Sequence, residues 1–456
     1  MLLTDHLRFG TVYFRNQEYS PALLDAGVRE CAEWINHKVS PNAPFIHLHF
    51  RNHIKCMIAY LAIIKSGHVC VMISPRIGPL EYDELLADTA PGAIIRINPK
   101  TIPFDYGTEC TVRPDPAPWC DELTYVCTIM YTAADDGYYK GAMLTHGNML
   151  ANARSIAEGN GVDAASVSCA LISMEHLFAL QTGFLAPMIN AGETVLAEVT
   201  GELHVHALLD HLQAHGVSHL YSVPVMYYLM GKEHGCRESA ISIRSAISGG
   251  CPLFERAAKV FLSASGHEIR EGYGLTEASP VCTWNFPDQP ARAGSVGRPI
   301  SCCTAFIHNG NGAHLPRKEH GGICIQGSNV MKGYYHNAPA TASVLSGDIL
   351  YTRDRGYIDE EGYLYFTDSK KDMANFSGEK IYPKYYERII GTNPAVDRIT
   401  ITKTPHPLFY EEVKVQVRLK KDSPENRNTF EIWCKKSLSR YKLPMNFEYM
   451  DSGTPQ

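Results

Sequence analysis

Residues Tyr131 to Asn148 read YTAADDGYYKGAMLTHGN, and the interpretation of the whole chain starts from them. The apolar run Tyr125 to Met130 precedes this stretch and is typical of a buried strand. The segment Met143 to Glu158 follows it and is predicted to begin a helix. A strand, a glycine-bearing turn with one lysine and then a helix is the layout of a loop that binds phosphate at a helix N-terminus.

The interior of this loop departs from the composition expected of a phosphate site. Small hydroxyl residues and glycine are replaced by four residues without such donors, namely Ala133, Ala134, Asp135 and Asp136, and the turn continues with Gly137 and Lys140. A carboxylate about 4 Å from a phosphate oxygen repels it by roughly 1 kcal/mol in water and roughly 4 kcal/mol at an effective dielectric of about 20. A cation such as Mg²⁺ would reverse that sign, because carboxylates ligate it well. Asp-Asp-Gly is also a common turn sequence. Taken alone, the loop is therefore equally consistent with a solvent-exposed turn that binds no ligand.

Length and composition indicate a globular protein of several domains without a nucleic-acid partner. The chain has 456 residues, 45% hydrophobic and 20% charged, which predicts two or three domains. The net charge of −6 comes without any basic block. No apolar run approaches the roughly 20 residues of a membrane span, and the first residues do not resemble a signal peptide. The 14 cysteines include no C-x-x-C and are interpreted as buried hydrophobes, which predicts a cytoplasmic location.

Helix-like and strand-like segments alternate through most of the chain. The strand Phe45 to Phe50, the helix Ile54 to Ser66 and the strand Val69 to Ile73 are the clearest examples, and such alternation predicts an α/β fold with a mainly parallel sheet. We expect a large N-terminal domain of layered sheets and helices, residues 1–371, with a β-subdomain over residues 294–371. A small α+β C-terminal domain, residues 372–456, is expected to follow.

Seven segments, in order and spread over nearly the whole chain, resemble the adenylate-forming enzymes, which include acyl-CoA synthetases, peptide-synthetase adenylation domains and firefly luciferase. The segments are YTAADDGYYKGAMLTHGN, SGGCPL, EGYGLTE, GSVGRPI, GGICIQGSNVMKGYY, TRDRGYIDEEGYLYF and DSKKDMANFSGEKIYPKYYE. Seven ordered matches are far more specific than a single glycine-rich loop. The resemblance implies that the small C-terminal domain is mobile and follows a hinge at Lys371 and Asp372.

The family activates a carboxylic acid with ATP as an acyl-AMP, and a thiol such as that of CoA then takes the acyl group. The resemblance implies an AMP site made of Gly249, Gly250, Cys251, Glu271, Gly272, Tyr273, Gly274, Thr276 and Asp354. Tyr273 would stack on adenine, and Asp354 would accept bonds from both ribose hydroxyls. Glu277 matches a residue that binds Mg²⁺ in the family. It would not bind the ion if the protein does not bind a triphosphate. His176 matches a residue of the acyl site, and Gly378 lies in the loop that lines the pantetheine tunnel during thioester formation.

The departures from the family pattern concentrate on the adenylation half of the reaction. Besides the altered loop, the usual G-R of the hinge segment is Asp368-Ser369, and the T-x-x-G-K segment with its lysine does not appear before Gln456. Each lost group of preorganised charge typically costs about 10²–10³ in rate. We therefore predict an enzyme that receives a preformed acyl-adenylate from a separate adenylating enzyme and transfers the acyl group to CoA without using ATP. This pattern resembles the thioester-forming half of split acyl-CoA ligase pairs, as in platensimycin- and platencin-type antibiotic biosynthesis.

Several alternatives stay open at this point. The chain could be an ordinary ATP-dependent acyl-CoA synthetase, a non-enzymatic adenylate-binding scaffold, or an adenylating enzyme that uses a nucleophile other than CoA. Lys140 either binds phosphate or pairs with Asp135 or Asp136, and His176 either assists the CoA thiol or forms a wall of the acyl pocket. The expected acyl-pocket segments, residues 176–181, 221–228 and 248–251, are apolar and aromatic. They favour a hydrophobic acid over an amino acid.

Overall fold

The computed structural model describes residues 2–15, 17–101, 104–133, 137–198, 205–233, 243–310, 312–369, 372–376, 379–406, 410–439 and 447–450. The predictions made for Ala134, Asp135, Asp136, Lys371 and Gly378 therefore lie outside the described residues, as does the side chain of Ala133.

Helices and strands alternate over the first two thirds of the chain. The helices are α1 (Pro21–Lys38), α2 (Ile54–Lys65), α3 (Pro79–Thr89), α4 (Tyr106–Glu109), α5 (His146–Gly159), α6 (Leu177–Leu180), α7 (Val205–Ala214), α8 (Pro224–Lys232), α9 (Glu255–Ser265), α10 (Ala338–Val344), α11 (Pro383–Gly391) and α12 (Pro424–Ser437). The strands are β1 (Val12–Phe14), β2 (Gln17–Tyr19), β3 (Phe45–His49), β4 (Val69–Ile73), β5 (Ala93–Arg96), β6 (Cys110–Val112), β7 (Val126–Ala133), β8 (Tyr139–Thr145), β9 (Val167–Ala170), β10 (Glu193–Leu196), β11 (His219–Ser222), β12 (Ser245–Ser248), β13 (Ile269–Gly274), β14 (Val281–Trp284), β15 (Arg298–Pro299), β16 (Cys303–His308), β17 (Gly321–Gly327), β18 (Gly333–Tyr334), β19 (Leu345–Ser346), β20 (Ile349–Ile358), β21 (Leu364–Ser369), β22 (Ala374–Phe376), β23 (Glu379–Ile381), β24 (Val396–His406), β25 (Tyr410–Leu419) and β26 (Phe447–Tyr449).

Two large mixed sheets form the body of the protein. The nine-stranded sheet has the order β15-β14-β13-β12-β11-β9-β10-β1-β2, and its six strands from β13 to β1 are parallel. The seven-stranded sheet has the order β18-β8-β7-β4-β3-β5-β6, and its four strands from β7 to β5 are parallel. Buried apolar strands such as β4, VCVMI, are typical of parallel sheets covered on both faces.

Two smaller sheets follow. Strands β16, β17, β19, β20 and β21 form an antiparallel sheet. Strands β22 to β26 form a mixed sheet around the antiparallel β24–β25 hairpin, in which β26 is parallel to β25. The last sheet packs with α11 and α12 on a separate apolar core that runs from Ala374 to Leu438. The predicted α/β fold with a large first domain and a small α+β second domain is confirmed. The boundary at residues 371/372 and the mobility of the second domain stay predictions. No helix in the described part of the chain has both the length and the apolarity to cross a bilayer.

The loop that opened the sequence analysis lies in a β-hairpin rather than before a helix. Strand β8 runs antiparallel to β7, with Tyr131 opposite Gly141, and α5 begins only at His146. The prediction that Met143 begins a helix is therefore wrong. Residues 142–144 are buried, and Met143 pairs with β7 on one side and β18 on the other, so tertiary pairing overrides helical propensity. The helix dipole thus does not act on a ligand of this loop.

Candidate active site

An apolar cavity of about 470 Å³ lies beyond the carboxyl ends of the parallel strands of the nine-stranded sheet. Strands β9, β11 and β12 end one residue before Leu171, Val223 and Gly249, and all three residues line the cavity. This is where ligands bind in open α/β sheets. The apolar lining comprises Met130, Leu171, Ile172, Leu177, Phe178, Val223, Val225, Met226, Leu275, Pro280, Val281 and Trp284. The three segments predicted for an acyl pocket therefore converge here, and we call this space the acyl cavity.

A second cavity, of about 530 Å³, adjoins the acyl cavity. Its lining includes Asp354 and Phe366 from the antiparallel sheet and, from β13, Glu271 and Tyr273. We call it the nucleotide cavity. The two cavities share five lining residues, namely Gly250, Gly272, Tyr273, Gly274 and Lys380. Each of the nine residues predicted to surround AMP lines one cavity or the other. The structure brings them together, and their roles toward AMP stay predictions.

Asp354 lies in the nucleotide cavity between two hydroxyl donors. Tyr273 donates its hydroxyl to Oδ2 at 2.7 Å, and Ser369 donates its hydroxyl to Oδ1 at 2.6 Å. Burial and the adjacent Asp354 carboxylate raise the pKa of Tyr273 well above its usual range, so the phenol stays a donor. Ser369 stands where the resemblance implies an arginine. A side chain that departs from the family pattern thus contacts the carboxylate assigned to ribose.

Replacing Asp354 with alanine is expected to weaken the binding of an acyl-AMP analogue by roughly 10- to 100-fold, since a hydrogen bond to a charged group contributes about 1.5–3 kcal/mol. Calorimetric titration with a non-hydrolysable acyl-adenylate measures the change. Asp348→Ala is the matched control, because Asp348 is an exposed residue in the turn between β19 and β20 and its carboxylate accepts from Gln326 at 3.1 Å. Unchanged affinity in Asp354→Ala would contradict the ribose assignment.

Glu271 gives the nucleotide cavity a carboxyl group with limited access to water. Burial raises its pKa, while the bond that Oε1 accepts from the Leu253 amide at 3.0 Å acts in the opposite direction. Burial, followed by the neighbouring Glu271, also raises the pKa of the Cys251 thiol to about 12. Cys251 is therefore a protonated thiol in the wall of the cavity and not a nucleophile.

Glu271→Gln is expected to raise the melting temperature of the protein at mildly alkaline pH. A carboxyl whose pKa is higher in the folded state destabilises the fold when ionised, and the fold gains stability as pH falls through that pKa. Glutamine removes the charge and keeps an acceptor for the Leu253 amide. The gain should therefore shrink in acid, where the parent carboxyl is already protonated. Thermal unfolding across pH tests this, with the exposed Glu268→Gln as the control for the change in net charge.

Lys380, on β23 of the second domain, lines both cavities at their junction. Tyr382 of the same segment also lines the acyl cavity, and Met373 lines the nucleotide cavity. The second domain therefore supplies a cation to the place where a phosphoryl group would join the two halves of an acyl-adenylate. Sequence reasoning missed Lys380. The available signal was the segment SGEKIYP, which places a lysine two residues after Gly378.

The second domain is held against the first by a buried carboxylate, Glu81 on α3, which is 0% exposed. Its Oε1 accepts the hydroxyls of Tyr139 at 3.2 Å and Tyr386 at 2.8 Å. Its Oε2 accepts the amides of Gly78 and Ser439, both at 2.9 Å, and the Ser439 hydroxyl. Tyr386 and Ser439 belong to the second domain. We call this set the Glu81 network.

An ion pair near the surface supplements the Glu81 network. Arg388 on α11 donates to both carboxylate oxygens of Glu84, at 2.7 and 2.9 Å, and to the carbonyl of Gly137 at 2.7 Å. Gly137 has φ +82°, and a Cβ there would lie 3.1 Å from the carbonyl oxygen of Lys384. Glycine at this position thus serves both the turn of the loop and the close approach of α11.

The remaining predicted residues have mixed positions. His176 precedes α6 and lines the acyl cavity, as expected. Lys140 lies on β8 with Nζ 5.9 Å from the ring centroid of Tyr334, and its predicted pairing with Asp135 or Asp136 falls outside the described residues. Asp372 lines neither cavity, and its role as a hinge stays a prediction.

Glu277 is the carboxylate predicted to bind Mg²⁺, and it would do so together with the phosphates of a bound substrate. Glu277 lies in a short 3-10 helix, and its Oε1 accepts the Tyr334 hydroxyl at 2.7 Å. The other carboxylate oxygen, Oε2, is the atom that would contact a bound cation. Mg²⁺ is commonly bound by one or two carboxylates plus substrate phosphates. Glu277 would hold the ion and offset charge on those phosphates, and this role stays a prediction.

Comparison with known proteins identifies the class. A family model described as "AMP-binding enzyme" matches residues 8–335, so the chain belongs to the AMP-binding enzyme family.

Individual relatives are acyl-CoA ligases by name. The chain is 28% identical over 344 residues to the long-chain-fatty-acid–CoA ligase of Escherichia coli, covering 75% of this chain but only 60% of the ligase. It is 28% identical to the feruloyl-CoA synthase of an Amycolatopsis species, covering 88% of this chain and 83% of that protein. A solved structure of o-succinylbenzoate CoA synthetase from Bacillus subtilis has a TM-score of 0.82 at 23% identity, covering 98% of this chain and 92% of that one. That likeness supports the two-domain α/β fold.

Proposed function

We propose that this chain is an acyl-CoA ligase that joins a hydrophobic carboxylic acid to CoA through an acyl-adenylate. The observation that carries the proposal is the pair of adjoining cavities. One is apolar, the other carries Asp354 and Glu271, and a lysine lies where they meet. An acyl-AMP has the same division, with an apolar chain and a nucleoside on either side of a phosphoryl ester.

The chemistry expected at this junction is acyl transfer. The CoA thiol loses its proton, its sulfur bonds to the acyl carbonyl carbon, and the carbon–oxygen bond to phosphate breaks, so that AMP leaves. Lys380 would stabilise charge on the departing phosphate, and the apolar wall would hold the acyl chain in place. His176 lines the same cavity, and we interpret it as a wall residue of the acyl site.

The named relatives favour the complete ligase reaction, in which ATP and the acid form acyl-AMP and pyrophosphate before CoA acts. We therefore rank an ATP-dependent acyl-CoA synthetase above the enzyme restricted to preformed adenylates that the sequence predicted. The relatives give no support to a split ligase pair, to a separate adenylating partner or to a role in antibiotic biosynthesis.

Transfer from a preformed acyl-adenylate is the second candidate, and one contact favours it. Ser369 stands in place of the implied arginine and binds Asp354 at 2.6 Å. The positive charge expected near ribose and phosphate is therefore missing at this position, and the Ala-Ala-Asp-Asp sequence of the loop lacks the expected hydroxyl and glycine donors.

Two assays on the same preparation separate these candidates. ATP–pyrophosphate exchange with a panel of hydrophobic acids tests adenylation, and synthetic acyl-AMP with CoA tests thioester formation by mass spectrometry. Exchange together with thioester supports the ATP-dependent ligase. Thioester from acyl-AMP without exchange supports the second candidate. Exchange without thioester indicates a nucleophile other than CoA. Failure of both assays across the panel contradicts both enzymatic functions and supports an adenylate-binding scaffold.

A further inference from the structure

Three side chains with metal-ligating atoms meet near the protein surface, outside the lining of both cavities. Cys120 and Glu122 precede β7, and His336 follows β18. Their ligand atoms all lie within 4.8 Å of one another. Within the ranges that the structure describes, this is the one group of three histidine, cysteine or carboxylate residues with such spacing. None of the three lines the acyl or the nucleotide cavity.

The two segments that carry these residues are tied together by other contacts. Lys332 donates Nζ to the carbonyl oxygens of Asp121 at 3.4 Å and Thr124 at 3.1 Å. Leu123, which directly follows Glu122, is fully buried. The amide of His336 lies 3.5 Å from Oε2 of Glu122. The three side chains thus converge on a backbone that is already fixed.

His336 adopts a backbone conformation that is unusual for a residue other than glycine. Its φ is +49°, in the left-handed region, which costs a residue other than glycine on the order of 1 kcal/mol or more. The buried Tyr335 stacks on the imidazole with ring centroids 3.8 Å apart and an interplanar angle of 21°. Backbone strain of this kind persists only where the surroundings determine it. The stacked ring gives the imidazole a defined orientation.

The donor types select the metal. Zn²⁺ binds thiolate at about 2.3 Å and imidazole or carboxylate at about 2.0–2.2 Å, in tetrahedral geometry. Ligand atoms around such an ion are roughly 3.3–3.8 Å apart. The ligand atoms of the three side chains lie within 4.8 Å of one another, so side-chain rotation, chiefly of the exposed His336, can bring them to this spacing. Mg²⁺ and Ca²⁺ prefer oxygen ligands only.

We propose that Cys120, Glu122 and His336 bind one Zn²⁺ ion, with water as the fourth ligand. On binding, Cys120 gives up its proton to solvent, and no electron transfer is involved. The ion joins the segment that leads into β7 to the segment that leaves β18. It therefore fastens the edge of the seven-stranded sheet, next to the β7–β8 hairpin, without taking part in acyl transfer.

Cobalt substitution on the whole protein tests the site. The protein is treated with chelator under reducing conditions and titrated with Co²⁺, which reports thiolate ligation through a near-ultraviolet charge-transfer band. We expect one equivalent of Co²⁺ to bind, one equivalent of Zn²⁺ to displace it, and Zn²⁺ to raise the melting temperature by mass action. Cys120→Ser should abolish the band. His336→Asn or Glu122→Gln should weaken Zn²⁺ binding by at least about 10- to 100-fold, because losing even a hydrogen-bond partner of a metal ligand typically lowers metal affinity by that factor.

Matched variants keep the test specific. Cys302→Ser removes a half-buried thiol elsewhere, and His320→Asn removes an exposed imidazole, and both should bind metal as the parent does. Melting temperatures of the metal-free variants establish that they fold. A charge-transfer band retained in Cys120→Ser, no stoichiometric binding by the parent, or equal Zn²⁺ affinity in the parent and all three ligand variants would overturn the proposal.

Discussion

Replacing Lys380 with methionine is expected to slow the transfer of the acyl group from acyl-AMP to CoA by about 10²–10³-fold, the usual cost of one preorganised group that stabilises developing charge. The reason is position, because Lys380 comes from the second domain and still lines both cavities of the first. Methionine keeps much of the side-chain length and removes the charge. Single-turnover kinetics with preformed acyl-AMP measure this step without any contribution from ATP.

Lys384→Met is the control for Lys380. Lys384 is an exposed residue of α11 in the same domain, so its variant loses the same charge away from the cavities. Arginine at position 380 should restore part of the rate if charge is what matters. A Lys380→Met rate equal to that of the parent would remove this residue from the mechanism.

The second large effect is expected from Glu81→Ala, which removes the acceptor of the Glu81 network. Each buried donor left without an acceptor costs about 1–3 kcal/mol, and five bonds converge on this carboxylate. We expect the second domain to leave its docked position and thioester formation to fall by at least about 10-fold, since Lys380 moves with it. Hydrogen exchange of α11 and single-turnover kinetics report the two effects.

Asp83→Ala is the control for Glu81, because Asp83 is an exposed carboxylate on the same helix. Glu81→Gln keeps one acceptor oxygen and should fall between the parent and the alanine variant. If the alanine variant retained both the exchange protection of α11 and the parental rate, the Glu81 network would not determine docking.

Elements whose apolar pattern is local were predictable from the sequence. Strand Val69–Ile73 was predicted with the observed bounds, and the helix predicted from Ile54 ends one residue earlier than expected, at Lys65. The apolar stretch from Leu177 to Ile189 does not form one regular helix but consists of α6, a π-helical turn and a 3-10 turn. Most of the stretch is buried, and its apolar sequence does not indicate where the helix type changes.

The site was predictable where family motifs define it and not where packing between domains creates it. The residues expected around AMP line the cavities, and their motifs either follow a strand, as Gly249 to Cys251 follow β12, or lie on one, as Glu271 to Gly274 lie on β13. The segment SGEKIYP contained Lys380 but did not reveal its position between the two cavities, and Glu81 carried no comparable signal. Glu81 lies in the polar sequence PLEYDELLADT, whose composition predicts a surface helix, yet its carboxylate is bound by Ser439 and Tyr386 from the second domain. Such contacts between distant parts of the chain leave no local periodicity.

The contacts that hold the second domain differ in their access to solvent. Glu81 is shielded, whereas the side chains of Arg388 and Glu84 are 27% and 31% exposed. Dissolved salt screens the attraction between solvent-exposed charges, with a screening length of about 10 Å at 0.1 M, and it affects buried groups much less. Rising ionic strength should therefore loosen the α11 side of the interface while the Glu81 side holds. The acyl-transfer rate should then vary with salt in a way that an interface of purely apolar contacts would not produce.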